Sequence, residues 1–339
     1  MKDISFVIIG RNAEWSIGRL LDSVVACTPA HVTSEIIYVD SASTDSTRQM
    51  VSQYPVKIVS LTADRWLCAS AGRFVGSHYA TGRYIAFLDS DMELLGGWLE
   101  RAARLLEDNP EIAVVSGIQI DSESGSPPKG SSTSCDGYLK DRLTEVKFAG
   151  SAAMVRHETL RHVGTWNPYI ISDEEPELCL RIRRAGYRII RLECPAVRHF
   201  GYAPPTISAL LSRRKRRLFL GYGQVIRYHL RTGLLLTYLR ERGWVVMPAL
   251  VALAGVIALL VSYLSGNAYW VVGLLCVVLL ALAADAIRSR SLYRAVFHML
   301  HRALILEGTI RGFMMRPHAA SEYLYGNPVS AEISAEETV

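Results

Sequence analysis

The sequence predicts an α/β domain followed by a pair of membrane helices, on three observations. The first part of the chain alternates short apolar runs with segments of helical spacing, which is the pattern of a mostly parallel sheet with helices on both faces. Polar residues directly follow several of these runs, at the strand ends where open α/β sheets bind ligands. Further along, no charged residue occurs between Gly243 and Ala284.

The α/β part is predicted element by element from apolar runs and helix-start residues. Residues rich in Ser, Gly and Pro at 121–134 predict a long loop, a kind of segment that often forms a mobile lid. The predicted strands are 4–9, 35–39, 56–61, 84–88, 112–117 and 148–155. The predicted helices are 15–25, 44–54, 68–80, 98–107 and 176–185, the last ended by Gly186.

Two aspartates directly follow the fourth predicted strand, in the sequence Asp89-Ser90-Asp91. On an extended backbone residues i and i+2 share a face, so the two carboxylates can converge on one hard cation. A cation held by two carboxylates still needs oxygen ligands, which a substrate diphosphate supplies. The alternative is an ordinary acidic turn, because Asp is a common turn residue.

Other motifs that would indicate a different chemistry are missing from the sequence. No G-x-G-x-x-G follows the first strand, which argues against a dinucleotide-binding enzyme, and no G-x-x-x-x-G-K-[ST] indicates an NTPase. The six cysteines show no C-x-x-C spacing. This argues against a zinc ribbon or a disulfide framework and fits a reducing compartment.

The charge-free run divides at residues 265–267 into two apolar segments, 244–264 and 268–284. Each is near the length of about 20 residues that crosses a bilayer. The alternative is a buried helical hairpin in a soluble core. Arginines flank the run on both sides while its central turn is uncharged, so both termini are expected to be cytoplasmic. No signal peptide is visible at the start of the sequence.

Positive charge is concentrated just before the apolar run. Twelve Arg or Lys residues and two acidic residues lie between Arg188 and Arg242, although the whole chain carries only +5. Such a basic stripe beside membrane spans favours anionic lipid headgroups over nucleic acid as the partner. The segments 207–219 and 292–314 are amphipathic and fit either the membrane interface or packing onto the catalytic domain.

An acidic cluster marks the start of the predicted helix at 176–185. Pro176 suits a first helical turn, and Glu174 and Glu175 would then lie at the positive end of the helix, which favours their ionised form. An ionised carboxylate in a cleft is a competent general base. The alternative role is simple charge complementation of the helix end, and it stays open for Glu177.

Four motifs follow one another along the chain: VIIGRN from Val7, IYVDSASTDST from Ile37, GRYIAFLDSD from Gly82 and EEPELCLR from Glu174, with RAGY at Arg184. In this order they resemble the motifs of the inverting family 2 glycosyltransferases, which have a GT-A fold. The resemblance covers roughly residues 3–200. The base position usually carries Glu-Asp where this chain has Glu-Glu, and 224–228 is close to the Q-x-x-R-W motif of processive members but ends in Tyr.

The resemblance implies roles for individual residues. Asp40 would read the nucleobase with help from Glu14, and Asn12 and Ser90 would line the donor site. Arg73 would lie near the diphosphate. Asp89 would contact the ribose or the metal, Asp91 and His199 would bind the Mn²⁺ or Mg²⁺, and Glu175 would be the catalytic base.

Together these features predict an inverting transferase at the inner (plasma) membrane with a cytoplasmic catalytic domain. The donor would be a nucleotide sugar, with UDP as the expected carrier. The acceptor would be a polyprenyl-diphosphate-linked saccharide, as in bacterial enzymes of cell-surface polysaccharide synthesis. Alternatives are a polyprenyl-phosphate glycosyltransferase, a processive synthase, which two spans disfavour, and a non-catalytic sugar-nucleotide binder. The predicted domains are 1–203 (catalytic), 204–242 (membrane interface), 243–285 (two spans) and 286–339 (cytoplasmic amphipathic helix and tail).

Overall fold

The computed structural model describes residues 2–64, 66–122, 142–150, 152–201, 205–323 and 330–333. The chain forms two compact units. The first comprises Met1–Tyr202 together with His318–Val339, and the second comprises Ala203–Pro317.

The first unit is built on one mixed sheet of ten strands. The strands are β1 Ile4–Gly10, β2 Ser34–Ser41, β3 Val56–Leu61, β4 Tyr84–Asp89, β5 Met92–Leu94, β6 Ile112–Ser122, β7 Leu143–Glu145, β8 Ala153–Arg156, β9 Arg188–Phe200 and β10 Ser330–Ile333. Their order in the sheet is β10-β3-β2-β1-β4-β8-β6-β9-β5, with β7 beside β9. Strands β1 to β4 pair in parallel, whereas β8, β5, β7 and β10 run antiparallel to their neighbours.

Helices cover both faces of this sheet, as the alternation in the sequence predicts. Alternate residues of β1 enter opposite cores. Phe6 shares one core with Leu20 and Trp98, and Val7 shares the other with Phe74 and Leu178. This alternation follows from the pleat of a strand, whose successive side chains point to opposite faces. The helices are α1 Ile17–Cys27, α2 Thr47–Val51, α3 Ala69–Tyr79, α4 Trp98–Asp108, α5 His157–Val163 and α6 Glu174–Arg184.

Several elements differ from the sequence-based prediction. The strand predicted at 148–155 is shorter, because Gly150 has a φ of 87° and the chain bends there before β8 begins. β6 extends to Ser122, so the start of the predicted loop is strand, and the remainder of 121–134 lies outside the described residues. β9 was not predicted, because Pro195 and several charged residues interrupt its apolar pattern. Cys194 is disulfide-bonded, which does not fit the reducing compartment expected from the cysteine spacing.

The second unit is helical and has a small core of its own. Leu210, Phe219, Val245, Leu304 and Ile305 form that core. The helices are α7 Ile207–Lys215, α8 Gly221–Tyr228, α9 Leu235–Glu241, α10 Met247–Ser265, α11 Tyr269–Ser289 and α12 Leu292–Met314, with a 3₁₀ turn at Gly243–Val245.

α10 and α11 are long and apolar enough to cross a membrane. The stretches that pass this test are Gly243–Ser265 and Tyr269–Ser289, and their side chains are almost entirely exposed. A helix that buries its apolar residues in a soluble core would not leave them uncovered. The two helices are joined by a short turn in which Gly266 has a φ of 66°.

Candidate active site

Loops that follow β1 and β2 are tied together by hydrogen bonds. Thr44 N–H donates to Asn12 Oδ1 at 2.9 Å, and Ser46 N–H donates to Glu14 Oε2 at 2.9 Å. Asn12 N–H in turn donates to the hydroxyl of Ser43 at 2.9 Å. The structure therefore places Asn12 and Glu14 as side chains that hold the loop after β2 in shape.

Asp40 lies beneath this pair of loops, at the end of β2. Its Oδ2 accepts a hydrogen bond from Ser43 N–H at 3.0 Å, and the residue is only 2% exposed. Its Oδ1 is buried and has no hydrogen-bond partner among the described residues. A buried carboxylate oxygen without a partner is costly, so this atom is suited to accept an N–H or O–H from a bound molecule.

Close packing joins the ends of β1 and β4. A Cβ atom added to Gly10 would lie 2.5 Å from the Tyr38 hydroxyl and 2.7 Å from the Ser90 hydroxyl. Ser90 N–H donates to the carbonyl of Ile9 at 2.9 Å. Only glycine allows this approach, which brings the segment with Asp89 and Asp91 beside the end of β1.

Arg73 forms the centre of a buried ion-pair network. Its guanidinium contacts Asp89 Oδ1 at 2.7 Å and Glu174 Oε1 at 2.8 Å, and lies 5.1 Å from the centre of the Trp166 ring. Burial opposes the positive charge, but the carboxylates of Asp89 and Glu174 outweigh it and raise the pKa of Arg73. Arg73 thus joins the end of β4 to the start of α6.

Asp91 and His199 lie together at the end of the sheet. The register of β5 on β9 places His199 opposite Met92, and Phe200 N–H donates to the carbonyl of Asp91 at 2.8 Å. His199 Nε2 lies 3.4 Å from Asp91 Oδ2, and its Nδ1 donates to Asp121 Oδ1 at 2.9 Å. The hydrogen bond to Asp91, and then that to Asp121, raise the pKa of His199 to about 9 against the effect of burial.

Of the three predicted metal ligands, Asp91 and His199 lie next to each other, while Asp89 forms an ion pair with Arg73. Within the described ranges, no group of three or more His, Cys, Asp or Glu residues is arranged to hold a metal ion. Asp91 Oδ1 is buried and has no hydrogen-bond partner among those residues. Asp91 and His199 therefore fit a site in which the protein supplies two ligands and a bound diphosphate supplies oxygens.

Glu175 points into a small pocket beside this network, at the start of α6. Its Oε1 accepts hydrogen bonds from Ala149 N–H at 2.5 Å, Gly150 N–H at 3.3 Å and the Cys179 thiol at 3.0 Å. The pocket is lined mainly by apolar side chains, including that of Trp166. Burial raises the pKa of Glu175, although its three hydrogen bonds act in the opposite direction.

The other acidic residues of α6 have structural partners. Glu177 is fully buried and pairs with Arg181 at 2.7 Å, while Arg181 also donates to three carbonyls of the chain before α6. Asp173, which precedes the helix, has a φ of 61°. Sequence reasoning missed the roles of Glu174 and Asp121, because contacts between distant segments leave no local sequence pattern. It also missed Cys179, although the i,i+4 spacing of Glu175 and Cys179 on one helix could have indicated their contact.

The comparisons with known proteins agree with this geometry. Residues 5–164 match the family model described as Glycosyl transferase family 2. These residues form a family 2 glycosyltransferase domain. This match confirms, for residues 5–164, the family predicted from the sequence motifs. The mixed α/β sheet followed by two apolar helices confirms the predicted fold class.

Curated relatives of this glycosyltransferase domain are animal enzymes. Polypeptide N-acetylgalactosaminyltransferase 6 of Bos taurus is 28% identical over 229 residues, which cover 58% of this chain and 37% of the relative. Polypeptide N-acetylgalactosaminyltransferase 8 of Drosophila melanogaster is 26% identical over 224 residues, covering 59% and 38%. The chain thus spans less than two fifths of the length of these relatives, and they are not of the bacterial cell-surface type that the motifs suggested.

Two solved structures share the fold. S. aureus TarS 1–349 in complex with UDP-GlcNAc has a TM-score of 0.50 and 17% identity, and the match covers 92% of this chain and 90% of that one. GalNAc-T7 with UDP, GalNAc and Mn²⁺ has a TM-score of 0.50 and 15% identity, with 67% and 48% covered. These likenesses establish the GT-A-like fold of the domain.

Proposed function

We propose that the chain is a membrane-anchored, inverting glycosyltransferase that moves a sugar from a nucleotide sugar to a lipid-linked saccharide of cell-surface polysaccharide. The observation that carries this proposal is the set of carboxylates at neighbouring strand ends: Asp40, whose buried Oδ1 has no hydrogen-bond partner among the described residues, then Asp89 and Asp91. Open α/β sheets bind ligands at this edge. The family 2 domain supports a nucleotide sugar as the donor.

The donor is proposed to lie across the ends of β1, β2 and β4. Asp40 Oδ1 accepts an N–H of the base, and the loop held by Asn12 and Glu14 encloses it. Ser90 lines the same edge beside Gly10. UDP is the proposed carrier because UDP compounds bind to TarS and GalNAc-T7, which share the fold.

Asp91 and His199 are proposed to hold a Mn²⁺ or Mg²⁺ ion, with Asp89 beside them. A divalent ion there would neutralise the charge that develops on the leaving diphosphate. Asp89 is oriented by its ion pair with Arg73, and His199 is oriented by Asp121. Both ion pairs of Arg73 are with carboxylates of the protein. We therefore propose that Arg73 positions Asp89 and the start of α6 near the diphosphate.

Glu175 is proposed as the base that deprotonates the acceptor hydroxyl. Three hydrogen bonds from described residues converge on Oε1, so we propose that the other oxygen, Oε2, faces the acceptor hydroxyl. Attack on the face opposite the leaving diphosphate inverts the anomeric configuration. The raised pKa of Glu175 makes its carboxylate a stronger base than an exposed glutamate.

The proposal of a lipid-borne acceptor rests on the exposed apolar and basic surfaces of the second unit. Its two exposed apolar helices would insert in the plasma membrane, and its exposed basic residues at 213–217 would face anionic membrane lipids. The basic residues of β9 do not take part, because Arg198 is buried against Glu93 and Arg188 and Arg191 pair with glutamates. A polypeptide acceptor is the second candidate, because the curated relatives are named as polypeptide transferases. Nucleic acid is not a proposed partner.

In the deciding experiment, the full chain is placed in lipid nanodiscs with Mn²⁺. Radiolabelled UDP-sugars are then added together with one acceptor at a time. The acceptors are a polyprenyl-diphosphate saccharide, a polyprenyl phosphate and a Ser/Thr peptide. We expect labelled product, resolved by thin-layer chromatography, only with the lipid-linked saccharide and with inverted anomeric configuration. Labelling of the polyprenyl phosphate or of the peptide would show that the proposed acceptor is wrong. Retained anomeric configuration would reject direct displacement of the diphosphate by an acceptor hydroxyl that Glu175 deprotonates.

Asp40→Asn is expected to weaken UDP binding. Asparagine can still accept from Ser43 N–H, but its NH₂ group then replaces the buried Oδ1 acceptor and opposes a base N–H. The loss should be about 10- to 100-fold in Kd, measured by calorimetry. Asp108→Asn, at an exposed position at the end of α4, is the matched control and should bind UDP normally. Equal affinity of both variants would remove Asp40 from the donor site.

The proposed topology places residues 265–267 outside the cytoplasm and both ends of the chain inside. Ser265→Cys should therefore react with a membrane-impermeant maleimide on intact cells, because Ser265 ends α10 directly before the uncharged turn between the apolar helices. Arg316→Cys, after α12, should react only once the membrane is permeabilised. The reverse labelling pattern would show that the orientation is wrong.

A further inference from the structure

The buried face of α12 packs closely against the segment that precedes α8. A Cβ atom added to Gly308 would lie 2.4 Å from the Phe219 carbonyl oxygen, and one added to Gly312 would lie 2.0 Å from that of Leu220. Leu304 and Ile305 bury their side chains on the same side. Through this face α12 packs against the rest of the second unit.

The opposite face of α12 is apolar and exposed. We call it the outer stripe, and its exposed fractions include 68% for Leu292, 50% for Ile310 and 79% for Met314. The spacing of 7, 4, 7 and 4 residues keeps all its members on one side of a helix, roughly opposite Gly308 and Gly312. The outer stripe consists of Leu292, Met299, Ala303, Ile310 and Met314.

Such a pattern is the reverse of that expected for a helix on the surface of a soluble protein. A soluble helix directs its polar residues away from the core. Here the polar residues lie beside the outer stripe: Glu307 pairs with Arg214 of α7 at 2.7 Å and with Arg311 at 2.9 Å. An exposed apolar stripe between charged flanks is the pattern of a helix that lies in a membrane interface.

An ion pair fixes α12 at the end of the second apolar helix. Asp285 lies about one turn before the end of α11, and its Oδ2 is 3.0 Å from His298 Nδ1 and 4.0 Å from Arg302 of α12. A carboxylate at that point of a membrane span belongs at the bilayer boundary, where charged groups reach the polar region. His298 and Arg302 must lie at the same level.

We propose that α12 lies flat in the boundary between lipid headgroups and acyl chains, with the outer stripe in contact with the acyl chains. This inference rests on the proposed insertion of α10 and α11, whose exposed apolar surface it continues. α12 would then hold α7, with its exposed arginines, at the level of the anionic headgroups. The bilayer is the partner of the outer stripe, in place of a second protein surface.

The test measures the environment of single positions on the full chain in nanodiscs. Ile310→Cys and Arg311→Cys form an adjacent pair on and beside the outer stripe, in a Cys276→Ser background because Cys276 is exposed on α11. Each variant carries a maleimide fluorophore and is quenched by brominated lipids or by aqueous iodide. At position 310 we expect strong quenching by brominated lipid and weak quenching by iodide, with the opposite result at position 311.

Two results would overturn the inference. Quenching by iodide as strong at 310 as at 311 would place the outer stripe in water, and protection of 310 from both quenchers would show that protein covers it. The same fluorophore on native Cys276 reports separately on α11. Lipid quenching at Cys276 without quenching at 310 defeats only the placement of α12, whereas its absence at both positions defeats the membrane part of the proposed function.

Discussion

Asp91→Asn is expected to reduce metal-dependent sugar transfer by roughly 10²- to 10³-fold while the chain stays folded. The substitution removes the negative charge, but asparagine keeps the shape of the side chain and an oxygen that can face His199, while Oδ1 has no hydrogen-bond partner among the described residues. The fold should therefore be preserved. The metal ion and the charge on the leaving diphosphate would lose their main protein partner. Transfer of radiolabelled sugar at a series of Mn²⁺ and Mg²⁺ concentrations measures the effect, and thermal unfolding checks the fold.

Asp121→Asn provides the matched control for this prediction. Asp121 contacts the same imidazole, at 2.9 Å from His199 Nδ1, but it belongs to β6 and is not among the proposed metal ligands. Its loss should change transfer less than the loss of Asp91. Full activity of Asp91→Asn, or of the unmodified chain in EDTA, would show that the reaction does not need this site.

Glu175→Gln is expected to lower transfer by roughly 10²-fold or more, the range for loss of a general base. Glutamine keeps the shape of the side chain and can still accept from Ala149 N–H, so the start of α6 should be preserved. Donor binding should survive, because the proposed nucleotide contacts lie at the ends of β2 and β4. Transfer rates and UDP affinity measured on the same preparation separate these two effects.

The pH dependence of the unmodified chain should report the same group. A base works only when deprotonated, so transfer should fall as the pH drops through the pKa of Glu175, which burial raises above its ordinary value of 4.5. The Cys179 thiol lowers that pKa by its hydrogen bond to Glu175. Cys179→Ala should therefore move the acid limb of the rate profile to higher pH, and Glu175→Gln should remove the limb.

The neighbouring glutamates are controls with different expected effects. Glu174→Gln and Glu177→Gln disturb the ion pairs with Arg73 and Arg181, so they should lower the free energy of unfolding, while transfer per folded molecule falls less than in Glu175→Gln. If Glu175→Gln transfers sugar at nearly the normal rate while one of these two is inactive, the base is that neighbour.

Local sequence patterns were sufficient for the strands that end in carboxylates. The apolar run before Asp89 and the residues before Asp40 each form a buried parallel strand, so both carboxylates reach the same edge of the sheet. The side-chain period of a strand and the parallel order of β1, β2 and β4 determine that placement. The two apolar helices were equally predictable, because length and composition alone define them.

The partners of these residues could not be read from the sequence. Asp89 is oriented by Arg73, and Arg73 by Glu174, which lies 101 positions further along the chain. Similarly, His199 meets Asp121 only because β6 and β9 are parallel neighbours in that register. Such contacts depend on which strands become neighbours, and no local period encodes that choice.

The sequence by itself determined the α/β class, the family of the domain, the edge of the sheet that carries the site and the presence of two apolar helices. These properties follow from periodicity, composition and motifs, which act over a few neighbouring residues. The tertiary structure decided that Arg73 joins two carboxylates, that Glu175 is held by Ala149, Gly150 and Cys179, and that α12 keeps an apolar face uncovered. Ion pairing, burial and exposure are properties of the packed chain, because each depends on segments that only folding brings together.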